Sequence, residues 1–516
     1  MKNIVKISIL SLVAFFASCA NLDEVPVSQT SPDGFYQILD DVKPVINGTY
    51  GLMASSNYYG AGLTVPLMLM SDMVDNAFEY SDYTEFSPFI FTSNNSYVKN
   101  MWAVSYQVIA TANSAIDGLA IIDEPNEDRR NRYIGEARFV RAFVYYHLVR
   151  LFGDIPYLAS SELGDDLAAI KQTPASEVYD NIIADLTFAF DHLSTNPQGD
   201  IRSRPSKGTA AAYLASVHMT LGNWQQSYDN AKWVINNAGE LNYALATDYQ
   251  DLFRNSEQWS SQENIFVMDF RANTAGGESD ITYENDGKIG PFNGVSGGDK
   301  PIRGWSMLVP HINVYNTWDA SDYRLKVSMT DSLIMRDGTG IVRPYTEFDW
   351  PAPHIAKYNR FYGDGRSTAG WRSDLDYIAF RYAEVLLIAA EAANELGNTA
   401  EAVGYVNQVR SRARQGGTID FYGNGYGSYG PSASPADVVG VPSQSDFRDL
   451  VLEERRIELS FEFKRWYDIV RRDLGAQVFG TSGLEPQPNF NSFRYKLPLP
   501  QGDMDRNSNF VQNPGY

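Results

Sequence analysis

Residues 210–231 read AAAYLASVHMTLGNWQQSYDNA, and residues 383–406 follow the same plan as AEVLLIAAEAANELGNTAEAVGYV. Each stretch has an alanine-rich apolar segment, a Leu-Gly-Asn turn and a second helical segment. Small residues let two helices cross closely, and this order is typical of tetratricopeptide-type hairpins. Such hairpins stack, because one pair cannot bury its apolar face alone. The two copies lie far apart, so the pattern predicts helix pairs without a continuous repeat array.

Further helical segments surround these hairpins, with apolar residues at spacings of three and four that predict one buried face. The predicted ranges are 35–58 (interrupted at Pro44 and Gly48), 99–122, 128–152, 176–194, 205–221, 224–238 and 445–472, the last with Ser445 as N-cap. Residues 240–376 are rich in loops, with short strand signals such as 265–268, and 416–443 form a glycine- and tyrosine-rich loop. The fold class is therefore mainly α, with a loop-rich variable half.

The N-terminus has the layout of a signal peptide cut before a cysteine. Lys2 and Lys6 precede an apolar run over 7–16, and small residues lead into Cys19, the only cysteine of the chain. The run is too short to span a bilayer. We expect a signal peptide over 1–18, lipid on Cys19, a tether over 19–34 and a single domain over 35–516. An ordinary secreted protein with a chance cysteine is the alternative.

Composition narrows the classes of partner. The formal net charge is −21, which repels phosphate backbones and makes nucleic acid an unexpected partner. The five histidines are scattered without the spacing of zinc ligands, so we expect no metal and no cofactor.

Three patterns point toward catalysis, and each has a simpler explanation. Residues 425–430 match G-x-G-x-x-G, but no clear strand precedes them and no helix begins there. Residues 294–298 match G-x-S-x-G without the strand and helix that a nucleophile elbow needs. Glu454, Glu458 and Glu462 are spaced like carboxylates on one helix face, as a glycoside hydrolase pair could be. Interleaved arginines and lysines favour an ion-paired, partly buried helix instead.

Aromatic residues make up 13% of the chain, and many lie in loops beside Asp, Asn and Gly. Tyr and Trp offer a flat apolar face with a polar tip, and sugar rings present C–H faces that stack on such rings. For any single ring, packing within its loop is the alternative. As a group, the loop aromatics indicate a surface for sugars.

Several motifs follow one another along the chain. They are the signal ending at Cys19, Trp102-x3-Tyr106 with Asn113, GEARFVRA at 135–142, FGDIP at 152–156, RYAEVLL at 381–387, VNQVRSR at 406–412, EERRIEL at 453–459, RWYD at 465–468 and QNPGY at 512–516. In this order they resemble the SusD/RagB family of outer-membrane lipoproteins of Bacteroidota. The resemblance covers nearly the whole chain.

The resemblance implies a scaffold of four tetratricopeptide-type helix pairs with a variable loop-rich half, over about 240–376 and 416–443. It also implies a lipid-anchored protein on the outside of the outer membrane that captures a glycan without cleaving it. The ligand would pass to a SusC-like TonB-dependent transporter. A peptide-capturing RagB-like lid is the main alternative, and a glycoside hydrolase is a further one.

In glycan-binding members of the family the contacts come from loops that resemble 72–98 and 259–305 here. The expected ligand-binding residues are Asp75, Asn76, Tyr80, Tyr83, Tyr97, Trp259, Tyr283, Phe292 and Trp305.

Overall fold

A computed structural model of the chain describes residues 35–76, 82–162, 167–196, 202–254, 260–270, 308–334, 342–347, 351–358, 375–421 and 424–516. The helices are α1 (Val42–Met53), α2 (Thr64–Leu69), α3 (Ser96–Ile121), α4 (Glu127–Phe152), α5 (Ala175–His192), α6 (Lys207–Thr220), α7 (Trp224–Asn236), α8 (Ile312–Thr317), α9 (Tyr323–Ser328), α10 (Tyr382–Glu395), α11 (Thr399–Ala413), α12 (Gln444–Glu458), α13 (Arg465–Arg471), α14 (Gly475–Val478) and α15 (Gln501–Arg506). Within these ranges, no helix combines the length and the apolarity that crossing a membrane requires.

The long helices pack one against the next. The pairs are α1 with α3, α4 with α5, α6 with α7, and α10 with α11, and each pair also packs on the following one. Together they enclose the main hydrophobic core. The mainly helical class that the sequence predicted and the four helix pairs that the family resemblance implied are therefore confirmed in the described part of the chain.

Three polar residues inside this scaffold, Asn113, Arg141 and Asp185, form one hydrogen-bonded group. Asn113, fully buried on α3, accepts a hydrogen bond from the Arg141 guanidinium at 2.8 Å and donates to the Leu158 carbonyl at 2.8 Å. Arg141 on α4 also donates twice to the Asp185 carboxylate of α5, each time at 2.8 Å. Charge-assisted bonds of this kind are strong when both groups leave water. They fix the relative position of three consecutive helices.

The described strands are short and form antiparallel pairs. The strands are β1 (Val74–Asn76), β2 (Asn264–Met268), β3 (Leu308–Pro310), β4 (Met329–Thr330), β5 (Ser332–Ile334), β6 (Val342–Pro344), β7 (His354–Ile355), β8 (Tyr377–Arg381), β9 (Gly417–Phe421) and β10 (Asn424–Tyr429). The pairs are β1 with β3, β2 with β8, β4 with β7, β5 with β6 and β9 with β10. The strand expected at 265–268 is confirmed as β2.

Two helix predictions were wrong in detail. Neither Pro44 nor Gly48 interrupts α1, which is preceded by a 3-10 turn at Leu39–Asp41. Pro44 lies in the first turn, where an amide N–H has no acceptor within the helix, so its absence costs nothing there. The helix predicted over 445–472 is two helices, α12 and α13. Phe461 and Phe463 between them adopt φ values of 62° and 64°, because their rings turn into the core.

The start of α12 and the loop over 416–443 also differ from expectation. Ser443, and not Ser445, caps α12, since its side chain accepts from the Asp446 N–H at 3.1 Å. The predicted loop contains the β9–β10 hairpin. Residues 425–429 of the G-x-G-x-x-G pattern belong to strand β10, and residues 430–443 that follow contain no helix. A phosphate-binding turn requires a helix N-terminus at that point.

Candidate functional site

One strand pair links the first loop region in which the sequence places ligand residues, 72–98, to a strand that begins shortly after the second region, 259–305. In the antiparallel β1–β3 pair, Asn76 faces Leu308 and Asp75 faces Val309. The His311 N–H extends the pairing by donating to the Met73 carbonyl at 2.9 Å. Strand β1 leads into segment 77–81, and β3 follows segment 271–307. The described residues that border these two segments, Asn76 and Leu308, therefore lie opposite each other. We call this strand pair, residues 74–76 and 308–310, the β1–β3 edge.

Asp75 and Asn76 carry polar groups at this edge, and both side chains are partly exposed. Asp75 Oδ1 accepts from the Asn76 N–H at 2.8 Å and lies 3.4 Å from Ser87 Oγ. The side-chain amide of Asn76 has no hydrogen-bond partner among the described residues. It can therefore offer both a donor and an acceptor to a ligand.

A buried carboxyl group supports the edge from below. Glu485 is 2% exposed, and its Oε1 accepts from Gln487 Nε2 at 2.7 Å and lies 3.1 Å from Ser87 Oγ. Burial raises the pKa of Glu485 well above its usual range, and the charge of Asp75 raises it further. Its Oε2 has no partner within the described residues. Ser87 Oγ lies near both carboxyl groups. When Glu485 is protonated, it carries no negative charge that would repel the Asp75 carboxylate.

The segment around Glu485 also forms hydrogen bonds with helix α8, which follows β3, and with the loop that follows β1. The Asn313 side chain of α8 donates to the Leu484 carbonyl at 2.8 Å, and Asn489 donates to the Pro88 carbonyl at 3.0 Å. The chain near its C-terminus thus fixes the loop after β1 and the helix after β3. The sequence did not predict a role for Ser87, His311, Glu485 or Gln487, because no local pattern links residues so distant along the chain.

The two described tyrosines of the predicted set, Tyr83 and Tyr97, pack against other residues of the protein. Tyr83 is 2% exposed and belongs to the main core. Its ring packs edge-on against Tyr97 with centroids 6.3 Å apart. Tyr97 is partly buried in the first turn of α3, where Asn95 Oδ1 accepts from its N–H at 3.0 Å. In this conformation the Tyr83 ring is covered, so direct ligand contact by either residue stays a prediction.

The other predicted site residues lie outside the described residues. They are Tyr80, Trp259, Tyr283, Phe292 and Trp305, together with the lipidation residue Cys19 and the G-x-S-x-G stretch at 294–298. Over the described part of the chain, His, Asp and Glu side chains form no group of three that could hold a metal ion.

The glutamates that resembled a catalytic set form a buried ion-pair cluster instead. Arg381 binds Glu458 at 2.6 Å and Glu462 at 2.8 Å, and Arg324 binds Glu454 at 2.7 Å. All these side chains are at most 1% exposed. Burial raises the pKa of Glu458, but Arg412, Arg381 and Arg324 outweigh burial and hold the pKa well below its usual range. A permanently ionised and enclosed carboxylate cannot donate a proton to a substrate, so the ion-paired interpretation is confirmed.

Comparisons with known proteins agree with this architecture. Residues 305–516 match the model described as "SusD family", and residues 22–219 match "Starch-binding associating with outer membrane". A SusD-like protein, P2, of Formosa agariphila is 40% identical over 526 residues, covering 99% of each chain. The starch-binding protein SusD of Bacteroides thetaiotaomicron is 22% identical over 75% of this chain and 73% of its own.

Solved structures share the fold at lower identity. A laminarin-binding SusD-like protein aligns with a TM-score of 0.76 at 21% identity, over 93% of this chain and 100% of its own. Surface glycan-binding protein A of Bacteroides thetaiotaomicron, solved with laminarihexaose, gives 0.75 at 19% identity, over 92% and 100%. With a relative at 40% identity along the full length and a matching family model at each end, the chain belongs to the SusD family.

Proposed function

We propose that this protein captures an oligosaccharide or polysaccharide at the β1–β3 edge and delivers it, uncleaved, to a SusC-like TonB-dependent transporter. One observation carries the proposal. The pairing of Asn76 with Leu308 joins the ends of the two aromatic-rich segments, and it does so in a chain of the SusD family. Aromatic rings would stack on sugar faces, while Asp75 and Asn76 would bind hydroxyl groups.

Capture without cleavage agrees with the surroundings of Glu485 and of the glutamates on α12. A glycoside hydrolase needs one carboxyl group with a raised pKa that can protonate the leaving oxygen. Glu485 has a raised pKa, but it is enclosed beneath β1. Glu454 and Glu458 of α12 are buried and paired with Arg324 and Arg381. Two solved relatives are named for laminarin or laminarihexaose, which makes these β-glucans the first ligands to test.

We further propose that a lipid on Cys19 anchors the protein to the outer membrane, on the outside of the cell. Cys19 would carry lipid after removal of residues 1–18, and several buried acyl chains hold a protein where one cannot. Residues 20–34 would then act as a tether that lets the body pivot above the transporter. Copurification of a TonB-dependent barrel with the native lipoprotein from outer membranes tests the partnership.

Calorimetry on the protein lacking residues 1–19 tests the ligand class. The panel should contain laminarihexaose, soluble starch, other neutral oligosaccharides and a set of basic peptides, with chromatography of each mixture after incubation. Saturable binding of at least one glycan, with no new products, is the expected result. Binding of peptides alone would replace the sugar by a peptide ligand, and turnover would show an enzyme.

A further inference from the structure

A second cleft lies among the helices of the scaffold and is lined by cations. It has a volume of about 360 Å³ and lies between α1, the first half of α4, residues 193–194 and residues 204–205. Lys43, Arg129, Arg132 and Arg204 line the cleft, against the single carboxylate of Glu136. None of these residues belongs to the β1–β3 edge. The cleft therefore brings four cationic side chains together in a chain with a net charge of −21.

Three of the cations are held in place by acidic partners. Lys43 pairs with Asp40 at 2.7 Å, and Arg129 pairs with Glu124 at 3.4 Å. Neither Asp40 nor Glu124 belongs to the lining of the cleft. Arg204 binds Glu136, and its guanidinium lies 5.3 Å from the centroid of the Tyr50 ring. These contacts orient the side chains before any ligand arrives, which lowers the ordering cost of binding.

Arg132 differs from the other three. It is exposed at the cleft, and within the described residues it has neither an ion-pair partner nor a hydrogen-bond partner. A guanidinium group presents five donors in a planar fork that matches the oxygens of carboxylate, phosphate or sulfate. Arg132 therefore supplies the cleft with an unused charge of the geometry that oxyanions require.

We propose that this cleft binds an oxyanion group, namely a sulfate, phosphate or carboxylate, either free or carried on a saccharide. A volume of about 360 Å³ lies at the lower end of the usual range for small-molecule sites and admits a sugar-sized group. Cations gathered in a concave wall focus the local field, so an anion is drawn here although the rest of the chain repels it. The cleft shares no lining residue with the β1–β3 edge. An anion can therefore bind in the cleft whether or not a glycan binds at the β1–β3 edge.

The probes are sodium sulfate, sodium phosphate, glucuronate, a sulfated oligosaccharide and the same oligosaccharide after desulfation. Each is titrated into the protein lacking residues 1–19 by calorimetry at low ionic strength. At least one anionic probe should bind saturably and the desulfated sugar should not bind at this cleft. Arg132→Ala should weaken the anion by about tenfold, the loss expected for one charge-assisted contact. Equal affinity for free anion and sulfated sugar would assign a free-anion site, and tighter sugar binding would assign a saccharide carrier.

Arg130→Ala is the matched control. Arg130 lies on the same helix outside the lining, and its one ion pair with a described residue is the exposed contact with Glu127 at 3.9 Å. Both variants should keep the melting temperature of the parent, since neither arginine is buried. Absence of saturable binding by every anionic probe, or equal weakening by the two substitutions, would overturn the proposal.

Discussion

Asn76 faces Leu308 across the antiparallel β1–β3 pair, and the Asn76 side chain has no partner among the described residues. Residues that are distant along the chain thus meet at the edge from which segment 77–81 departs and at which segment 271–307 ends. The relationship turns two separate loop predictions into one proposed site. Glu485 and Ser87 support it from within the molecule.

Asn76→Ala should weaken glycan binding, because it removes a donor and an acceptor at the proposed edge. The expected loss is about 1 kcal/mol, roughly fivefold in affinity. Calorimetry with the tightest-binding oligosaccharide of the panel measures it. Asn230→Ala is the control, since among the described residues the side chain of Asn230 bonds only to the Gln226 carbonyl of its own helix. Unchanged affinity for Asn76→Ala would remove Asn76 from the site.

Trp259→Ala and Trp305→Ala should each weaken binding by about 1–3 kcal/mol while the protein stays folded. Stacking on a sugar ring is lost, but no core contact is expected to change. Trp466→Ala is the contrasting variant, because Trp466 is 1% exposed and its removal should cost about 3–5 kcal/mol of stability. Thermal melting beside calorimetry separates the two effects. A large fall in melting temperature for Trp259 or Trp305 would place those rings in the core.

Glu458→Gln should destabilise the fold strongly. Arg381 and Arg412 would keep buried charges with one carboxylate fewer, and breaking a buried pair costs about 3–5 kcal/mol. Urea unfolding measures the change, and Glu127→Gln on the exposed face of α4 should leave stability nearly unaltered. Neither protein should release products from the glycan panel. Loss of a measurable turnover in Glu458→Gln without loss of stability would indicate catalysis.

The melting temperature should depend on pH through Glu485. The pKa of Glu485 is higher in the folded chain than in the unfolded chain. Between these two pKa values, the native state keeps a proton that the unfolded state has released. Stability is fully present below the unfolded value near 4.5 and falls as pH rises through the folded pKa. Glu485→Gln imitates the neutral acid, so it should match the parent at pH 4 and exceed it at pH 8. A variant that is less stable than the parent at pH 8 would show that Glu485 is ionised in the native state.

Cys19→Ala should release the protein from the cell surface without changing its affinity for ligand, since the anchor is distant in sequence from the proposed site. Fractionation and surface labelling follow the location, and calorimetry follows the affinity. A variant that remains on the surface would exclude the lipid assignment.

The helical scaffold was predictable because its signals are local. The spacing of apolar residues, the Gly-Asn turns and Gly153 after α4 each act within a few residues, and the structure gives Gly153 a φ of 77° at that helix end. The break between α12 and α13 was not predictable. It depends on where Phe461 and Phe463 find space in the core, and helical propensity does not report that.

The candidate site was predictable in part. Asp75 and Asn76 were named, and the structure places them at the shared edge. The contact between Ser87 and Glu485 joins the two ends of the domain in space. No local sequence pattern reports a contact between residues so far apart along the chain. Tyr83 shows the opposite difficulty, because an aromatic residue in a loop has the same sequence signature whether its ring is exposed or packed beneath the surface.

Hydrogen exchange measured by mass spectrometry, with and without saturating oligosaccharide, tests glycan capture at the β1–β3 edge most directly. Bound ligand should slow exchange in peptides covering residues 74–97 and 259–313, and it should leave the α10–α11 hairpin unchanged. The Asn76→Ala protein at the same ligand concentration should show weaker protection in the same peptides. Protection confined to other parts of the chain, with none at these two segments, would contradict the proposed site.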